Sequence, residues 1–205
     1  MTSTRSPFFD SALHVLKGAV VSALRLPTGR TTASVKPGKG HAGRIILSSV
    51  ESFSEEQCSL IRSLVDQKVR EDAPFRVWRM LRADAERLYG DTMYDAFKVP
   101  DAVTELRLVN LERWNLNAQV NQVLKSTGYL KRLEITKTKH NANKKELEIS
   151  FECFPDPGEP PLAETLGTPD PCPPLAEAVP DPSAPAAPAA PAAAAPQPGG
   201  TPPGW

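Results

Sequence analysis

The sequence predicts an α+β domain with a mostly antiparallel sheet, followed by a disordered tail. Apolar residues recur at helical spacing in two early segments. Strand-like alternation dominates the second half of the first 154 residues, and the composition changes abruptly after that point. The predicted order is helix, hairpin, helix, strand, short helix and three strands, which is typical of helices packed on an antiparallel sheet.

The first helix is predicted over residues 8–26, and Pro27 and Gly29 end it. One face carries apolar residues at spacings of three and four: Leu13, Leu16, Val20 and Leu24. A hairpin is predicted next, because two strand-like runs flank a glycine-rich turn. These three pieces are Thr31–Val35, Pro37–Gly43 and Arg44–Ser48.

A capping box at Ser54 and Gln57 begins the second helix, which runs to about Glu71 and ends before Pro74. Strands are then predicted at Phe75–Leu81, Glu105–Leu111, Tyr129–Lys137 and Lys145–Cys153, with a short helix at Ala83–Leu88, a turn at His140–Lys144 and an ambiguous segment at Met93–Val99. The last strand alternates most regularly, which indicates one buried and one exposed face.

The segment Trp114–Gly128 is rich in side-chain amides: Asn115, Asn117, Gln119, Asn121 and Gln122. Buried amides need hydrogen-bond partners, so the spacing alone favours a solvated loop between strands. The alternative is a polar lining of a cleft.

Residues 155–205 are predicted to be a disordered tail, and residues 1–154 a folded body. The tail holds 17 of the 22 prolines, six acidic residues and no Lys, Arg or His, and such a segment cannot bury enough apolar surface to fold. The body therefore carries 24 basic against 18 acidic residues, a formal charge of +6. This charge permits contact with nucleic acid without requiring it.

Three cysteines without a CxxC pair suit a reducing compartment, and no apolar run is long enough to span a membrane. We therefore expect a cytoplasmic protein with no membrane partner. The alternative is mitochondrial, because residues 1–30 resemble an amphipathic transit peptide.

Several side chains are candidates for chemistry. Asp10 and His14 lie four residues apart on one helix face, either as a metal-binding pair or as a surface pair. The hydroxyls of Thr31, Thr32 and Ser34 either line a pocket or reflect strand propensity. The cations Lys36, Lys39 and Arg44 lie in or beside the glycine-rich turn, where they are candidate phosphate ligands together with Lys125.

Several stretches together resemble one family: DSALHVLKGAV at residues 10–20, GHAGRIIL, REDAPFRVWRM, DAERLYGD, WNLNAQVNQVLKSTGYL, KRLEITKTK and KELEISFEC. This pattern resembles the editing domain shared by alanyl- and threonyl-tRNA synthetases, and the free-standing alanyl-tRNA editing proteins. The resemblance covers residues 10–154. It implies an α+β fold with a zinc ion in a cleft and hydrolysis of serine or glycine from alanine tRNA.

The four zinc-ligand positions implied by this resemblance carry Asp10, His14, Gln119 and Val123. Asp10 and His14 can bind zinc, Gln119 offers a weak neutral oxygen, and Val123 offers nothing. We expect the first three to be the remaining metal ligands, with Asp10, His14 and Thr32 in catalytic roles.

Two functions follow from the resemblance. One is a free-standing editing protein that hydrolyses, or at least binds, mischarged alanine-type tRNA. The other is an inactive relative that binds tRNA, an aminoacyl-tRNA synthetase or a synthetase complex.

Overall fold

The computed structural model describes residues 5–26, 32–48, 52–95 and 99–166. Over these ranges the chain forms the helices α1 (Pro7–Leu24), α2 (Glu55–Arg70) and α3 (Arg82–Tyr89). The strands are β1 (Thr32–Pro37), β2 (Ala42–Ser48), β3 (Phe75–Leu81), β4 (Glu105–Leu111), β5 (Asn115–Ala118), β6 (Leu133–Asn141), β7 (Glu146–Cys153) and β8 (Thr165–Leu166). The predicted α+β class is confirmed.

The strands form two sheets of four rather than the single sheet expected from the sequence. Their orders are β1-β2-β7-β6 and β5-β4-β3-β8. All neighbouring strands run antiparallel except β8, which pairs in parallel with β3. None of the described helices is long and apolar enough to cross a membrane.

Helix α1 is buried along most of its length and lies at the centre of the larger core. Ser6 caps it, and Pro7 occupies its first turn, where no backbone N–H is needed. The helix contacts α2, β2, β5 and β7. Because α1 is buried on nearly all sides, its polar side chains need hydrogen-bond partners from other parts of the protein.

A second, smaller core packs between α3 and the β3-β4-β5 face. It contains Trp78, Met80, Ala85, Tyr89, Met93, Tyr94, Leu106, Leu108 and Leu116.

The capping box of α2 is present as predicted. The Ser54 hydroxyl accepts the Gln57 N–H at 3.2 Å, and the Gln57 side chain accepts the Ser54 N–H at 2.9 Å. These two bonds satisfy donors at the helix start that have no partner within the helix.

The predicted strand Tyr129–Lys137 is wrong at its start, because Thr127–Leu130 forms a 3-10 turn and β6 begins only at Leu133. The Thr127 hydroxyl donates to the Lys68 carbonyl at 2.7 Å and accepts the Ala73 N–H at 2.9 Å. These long-range bonds hold the turn against the end of α2. Strand β6 in turn runs to Asn141, so His140 lies in a strand and not in the predicted turn.

Residues 155–166 of the predicted tail lie against the body. The Lys125 N–H donates to the Pro161 carbonyl at 2.8 Å, and the Ala163 N–H donates to the Val123 carbonyl at 3.0 Å. The ordered part therefore extends twelve residues past the predicted boundary. Residues 167–205 of the predicted tail, residues 96–98 of the ambiguous segment and Thr31 of the first predicted strand lie outside the described residues.

Trp114, the residue just before β5, contacts α1. Its indole N–H donates to the Val15 carbonyl at 2.9 Å. A Cβ atom at Gly18 would lie 2.2 Å from the Trp114 ring, so only glycine leaves room for the indole at this position. The close approach of α1 and β5 therefore depends on Gly18.

Replacing Gly18 with alanine is expected to destabilise the fold by about 1–3 kcal/mol, because the added methyl group overpacks the Trp114 ring. Urea unfolding of the variant measures the loss. The control is Ser59→Ala on the exposed face of α2, which adds no clash. Equal stability of Gly18→Ala and the parent chain would contradict the packing described here.

Candidate functional site

A cavity of about 340 Å³ lies between α1, the β1-β2 hairpin and the segment from β5 to residue 121. Its polar lining comprises Arg5, Asp10, His14, Lys17, Thr32, Asp95, Asn115, Asn117, Gln119 and Asn121. Apolar side chains complete it: Leu13, Val35, Ile45, Val99, Pro100, Val103, Ala118 and Val120. This volume is at the lower end of the range of small-molecule sites.

His14 is held between two side-chain amides. Its Nδ1 lies 2.7 Å from the Asn115 side-chain nitrogen, and its Nε2 lies 2.8 Å from the Gln119 side-chain nitrogen. Burial, together with the nearby Lys17, lowers the pKa of His14 to about 3. The ring is therefore neutral at pH 7. A neutral imidazole has one N–H and one acceptor, so one amide donates to the ring and the other must turn its oxygen toward it.

Among the described residues, only one of the two carboxylate oxygens of Asp10 has hydrogen-bond partners. Its Oδ1 lies 3.2 Å from the Arg5 guanidinium and accepts from the Asn121 amide at 3.3 Å. Its Oδ2 is buried and has no hydrogen-bond partner among the residues that the structure describes. Burial raises the pKa of Asp10 to about 6, although Arg5 and the Asn121 hydrogen bond act in the opposite direction. The cavity thus contains a carboxylate oxygen that can still accept a hydrogen bond.

Lys17 completes the polar face of α1, one turn beyond His14. Its ammonium lies 2.6 Å from Asp95, and the Asn117 amide donates to the other Asp95 oxygen at 3.2 Å. The charge of Lys17 is therefore balanced within the protein.

Arg107 on β4 fixes the segment that follows β5. Its guanidinium donates to the Asn121 carbonyl at 2.6 Å and contacts the Gln119 carbonyl at 3.4 Å. The same segment turns the Gln119 side chain to His14 and the Asn121 side chain to Asp10. Arg107 therefore sets where two of the cavity amides lie.

The structure brings together four of the residues predicted for the site, because Asp10, His14, Thr32 and Gln119 all line the cavity. Val123 lies elsewhere, fully buried in the larger core. The alternating register of the hairpin separates the predicted phosphate ligands from this cavity. Val35 and Ile45 face it, whereas their neighbours Lys36 and Arg44 are exposed on the other face of the sheet.

Lys36 and Arg44 form a cross-strand row with Ser150 and Lys137. Arg44 is paired with Glu148 at 3.3 Å. The exposed Lys39 lies in the hairpin turn, and Lys125 lies on a different part of the chain, between Leu124 and the turn at Ser126. The four predicted cations therefore do not form one patch.

The solvated loop favoured by spacing alone is wrong for Asn115 and Asn117, which are buried in the short strand β5. The alternative, a polar lining of a cleft, is confirmed, because Asn115, Asn117, Gln119 and Asn121 line the cavity. Sequence reasoning missed Arg5, Lys17, Asp95 and Arg107. For Lys17 a signal was present, since it follows Asp10 and His14 by seven and three residues and so shares their helix face. The other three are brought to the site only by the tertiary fold.

A zinc ion, which the resemblance implies, does not fit this set of side chains. Both ring nitrogens of His14 are occupied by amides, and the fourth ligand position is an apolar core residue. Within the described ranges no group of three or more His, Cys, Asp or Glu side chains converges on a point. Structural and catalytic zinc sites need at least three strong ligands. Among the described His, Asp and Glu side chains that line this cavity, only Asp10 has a ligand atom without a partner.

No family model matches the chain. The chain is similar to alanine–tRNA ligases of archaea: 31% identical over 106 residues to that of Korarchaeum cryptofilum and 30% identical over 141 residues to that of Pyrococcus abyssi. These alignments cover 51% and 68% of this chain but only 12% and 15% of the ligases. The chain is therefore similar to a region of alanine–tRNA ligases. This finding confirms the part of the predicted resemblance that concerns alanyl-tRNA synthetases.

Replacing Asp10 with asparagine is expected to stabilise the protein more at pH 7 than at pH 4. The folded-state pKa is about 6 against an ordinary value of 3.8, so the folded protein favours the protonated carboxyl and loses stability as pH rises between these values. The gain from Asp10→Asn should reach on the order of 2–3 kcal/mol above pH 7. Thermal unfolding from pH 4 to 8 measures it. Asp66→Asn, on the exposed face of α2, should give no such trend, and a pH-independent difference for Asp10→Asn would refute the burial argument.

Purified protein is expected to hold far less than one zinc ion per chain after dialysis against excess zinc. The physical reason is that His14 would have to give up an amide contact to bind the metal. Elemental analysis by mass spectrometry measures the content. A stoichiometric zinc content that disappears in His14→Ala would contradict the fit described above.

Proposed function

We propose that this chain binds the aminoacylated end of an alanine-type tRNA, with the amino acid in the cavity beside His14. The observation that carries this proposal is the buried His14 held between Asn115 and Gln119 in a cavity that also contains Asp10. Asp10, His14 and Gln119 occupy three of the four positions that the resemblance assigns to zinc ligands of an editing site. The similarity to alanine–tRNA ligases supports the tRNA part of the proposal.

Recognition accounts for the geometry better than catalysis does. The pKa of His14 is lowered to about 3, and both of its nitrogens are engaged, so the ring is a poor general base at pH 7. Neutral amides, in contrast, are the groups that fix the orientation of a small polar ligand. The cavity therefore suits a small residue such as serine or glycine on its tRNA.

Hydrolysis of the same ester is the second candidate function. The observation that favours it is the free Oδ2 of Asp10 together with a pKa of about 6. A carboxylate of this pKa could take a proton from water as the water attacks the ester carbonyl, releasing the amino acid and the tRNA hydroxyl. This role needs Asp10 ionised and no metal.

The exposed row of Lys36, Arg44 and Lys137 is a candidate contact for the tRNA backbone. It lies on the face of the sheet opposite the cavity, so a tRNA whose end enters the cavity would have to pass around the β1 edge to reach it. The alternative partner for this face is an aminoacyl-tRNA synthetase. Salt dependence separates the two, because phosphate contacts weaken steeply with added salt.

Alanine-type tRNA carrying serine through a non-hydrolysable amide is expected to bind more tightly than the same tRNA uncharged, by at least threefold. His14→Ala should remove this difference, because the two amides lose the ring that organises them. Filter binding at fixed salt measures both affinities. Equal binding of charged and uncharged tRNA by the parent chain would refute the proposal.

The matched control is His140→Ala, which removes an exposed histidine on β6 and should keep the preference. In a parallel assay the serine is attached through its natural ester. Enzymatic release of serine that is lost in Asp10→Asn but retained in His140→Ala would establish hydrolysis as the function.

A further inference from the structure

The cavity contains two buried oxygen atoms without partners. Within the described part of the chain, Oδ2 of Asp10 and Oγ1 of Thr32 lack a hydrogen bond, and their residues are 0% and 1% exposed. Each can accept a hydrogen bond, and no nitrogen donor lining the cavity is among the buried atoms that lack partners over the described ranges. A ligand that forms hydrogen bonds with both oxygens therefore has to provide hydrogen-bond donors.

The charges around Asp10 leave room for one more cation. Arg5 approaches only the other oxygen of Asp10, and Arg107 is engaged with the carbonyls of Gln119 and Asn121. Lys17 is paired with Asp95, and His14 is neutral at pH 7. The free Asp10 oxygen has no cation of its own among these groups.

Resting on the proposed function, we propose that the free oxygen of Asp10 binds the α-ammonium group of the amino acid in the cavity. The site is then a metal-free ammonium receptor. A primary ammonium provides three N–H donors on a compact positive charge, and charge-assisted bonds to a carboxylate are the strongest available to such a group. Amino acids with an acylated or absent α-amino group are excluded.

This assignment gives a role to the second oxygen of a buried carboxylate whose first oxygen is paired with Arg5. Burying a charged group without satisfying all its acceptor sites is costly, and a ligand cation at Oδ2 recovers part of that cost on binding. An asparagine at position 10 would avoid the cost but would lose the selectivity for a cation. The side chain of Thr32 adds a second acceptor on the hairpin side of the cavity.

The test is calorimetric titration of the full chain with L-serinamide, which has the α-ammonium group and no carboxylate, as an esterified amino acid does. N-acetyl-L-serinamide has the same side chain and no positive charge. L-serinamide is expected to bind, and the acetylated compound is expected to bind at least tenfold more weakly. Asp10→Asn should weaken L-serinamide binding at least tenfold, whereas Asp66→Asn should leave it unchanged.

The affinity for L-serinamide should rise roughly tenfold between pH 5 and pH 7, because Asp10 ionises over this range while the α-amino group stays largely protonated. The charged and titratable groups that face Asp10 are Arg5, Arg107, Lys17, Asp95 and the neutral His14. Asp10→Asn should abolish this pH dependence. A circular dichroism spectrum confirms that the variant is folded.

Absence of L-serinamide binding, equal binding of the acetylated compound, or equal binding by Asp10→Asn would each overturn the ammonium assignment. Competition by sodium chloride but not by an equal concentration of choline chloride would indicate a monovalent-metal site and would also overturn it. If charged tRNA is preferred in Asp10→Asn as in the parent chain, the ammonium assignment fails and the proposed function stands. If L-serinamide binds through Asp10 but charged tRNA is not preferred, the proposed function fails instead.

Discussion

The structure depends on satisfying three ionisable side chains on one face of a buried helix. Asp10, His14 and Lys17 follow one another along α1, where water cannot solvate them. An unpaired buried polar group costs stability, and a buried charge costs more. The segment from Asn115 to Asn121 supplies most of the partners, and Asp95 supplies the counter-charge of Lys17. The cavity lies between this face of α1 and the segment from Asn115 to Asn121.

The position of that segment is set by contacts outside the cavity. Trp114 binds the Val15 carbonyl before the segment begins, and Arg107 holds the carbonyls of Gln119 and Asn121 at its end. Strand β5 between them pairs with β4. The amides are therefore presented on a rigid element, as a recognition site requires, and Gly18 permits the close approach of the two elements.

Three of the four zinc-ligand positions implied by the resemblance to synthetase editing domains, Asp10, His14 and Gln119, line one cavity, and Val123 lies in the core. Positions that would hold zinc carry a half-satisfied aspartate, a histidine engaged by amides and a core valine. Side-chain amides contact both nitrogens of His14 and one oxygen of Asp10. The charged side chains Lys17 and Asp95 are paired with each other, whereas Asp10 keeps one oxygen without a partner among the described residues.

Local pattern in the sequence was enough to predict the α+β class, the hairpin, the capped α2 and the regular β7, because helical and strand periodicities report which face is buried. The resemblance placed Asp10, His14 and Gln119 at one site, and the hydroxyl-rich first strand made Thr32 a further candidate. The division into two sheets, the 3-10 turn at Thr127, and the docking of residues 155–166 depended on long-range hydrogen bonds that no local pattern records. The same holds for Arg5, Asp95 and Arg107. Only the tertiary structure decided that Asn115 and Asn117 are buried in a strand, since burial of an amide is tolerated only where partners from distant parts of the chain meet it.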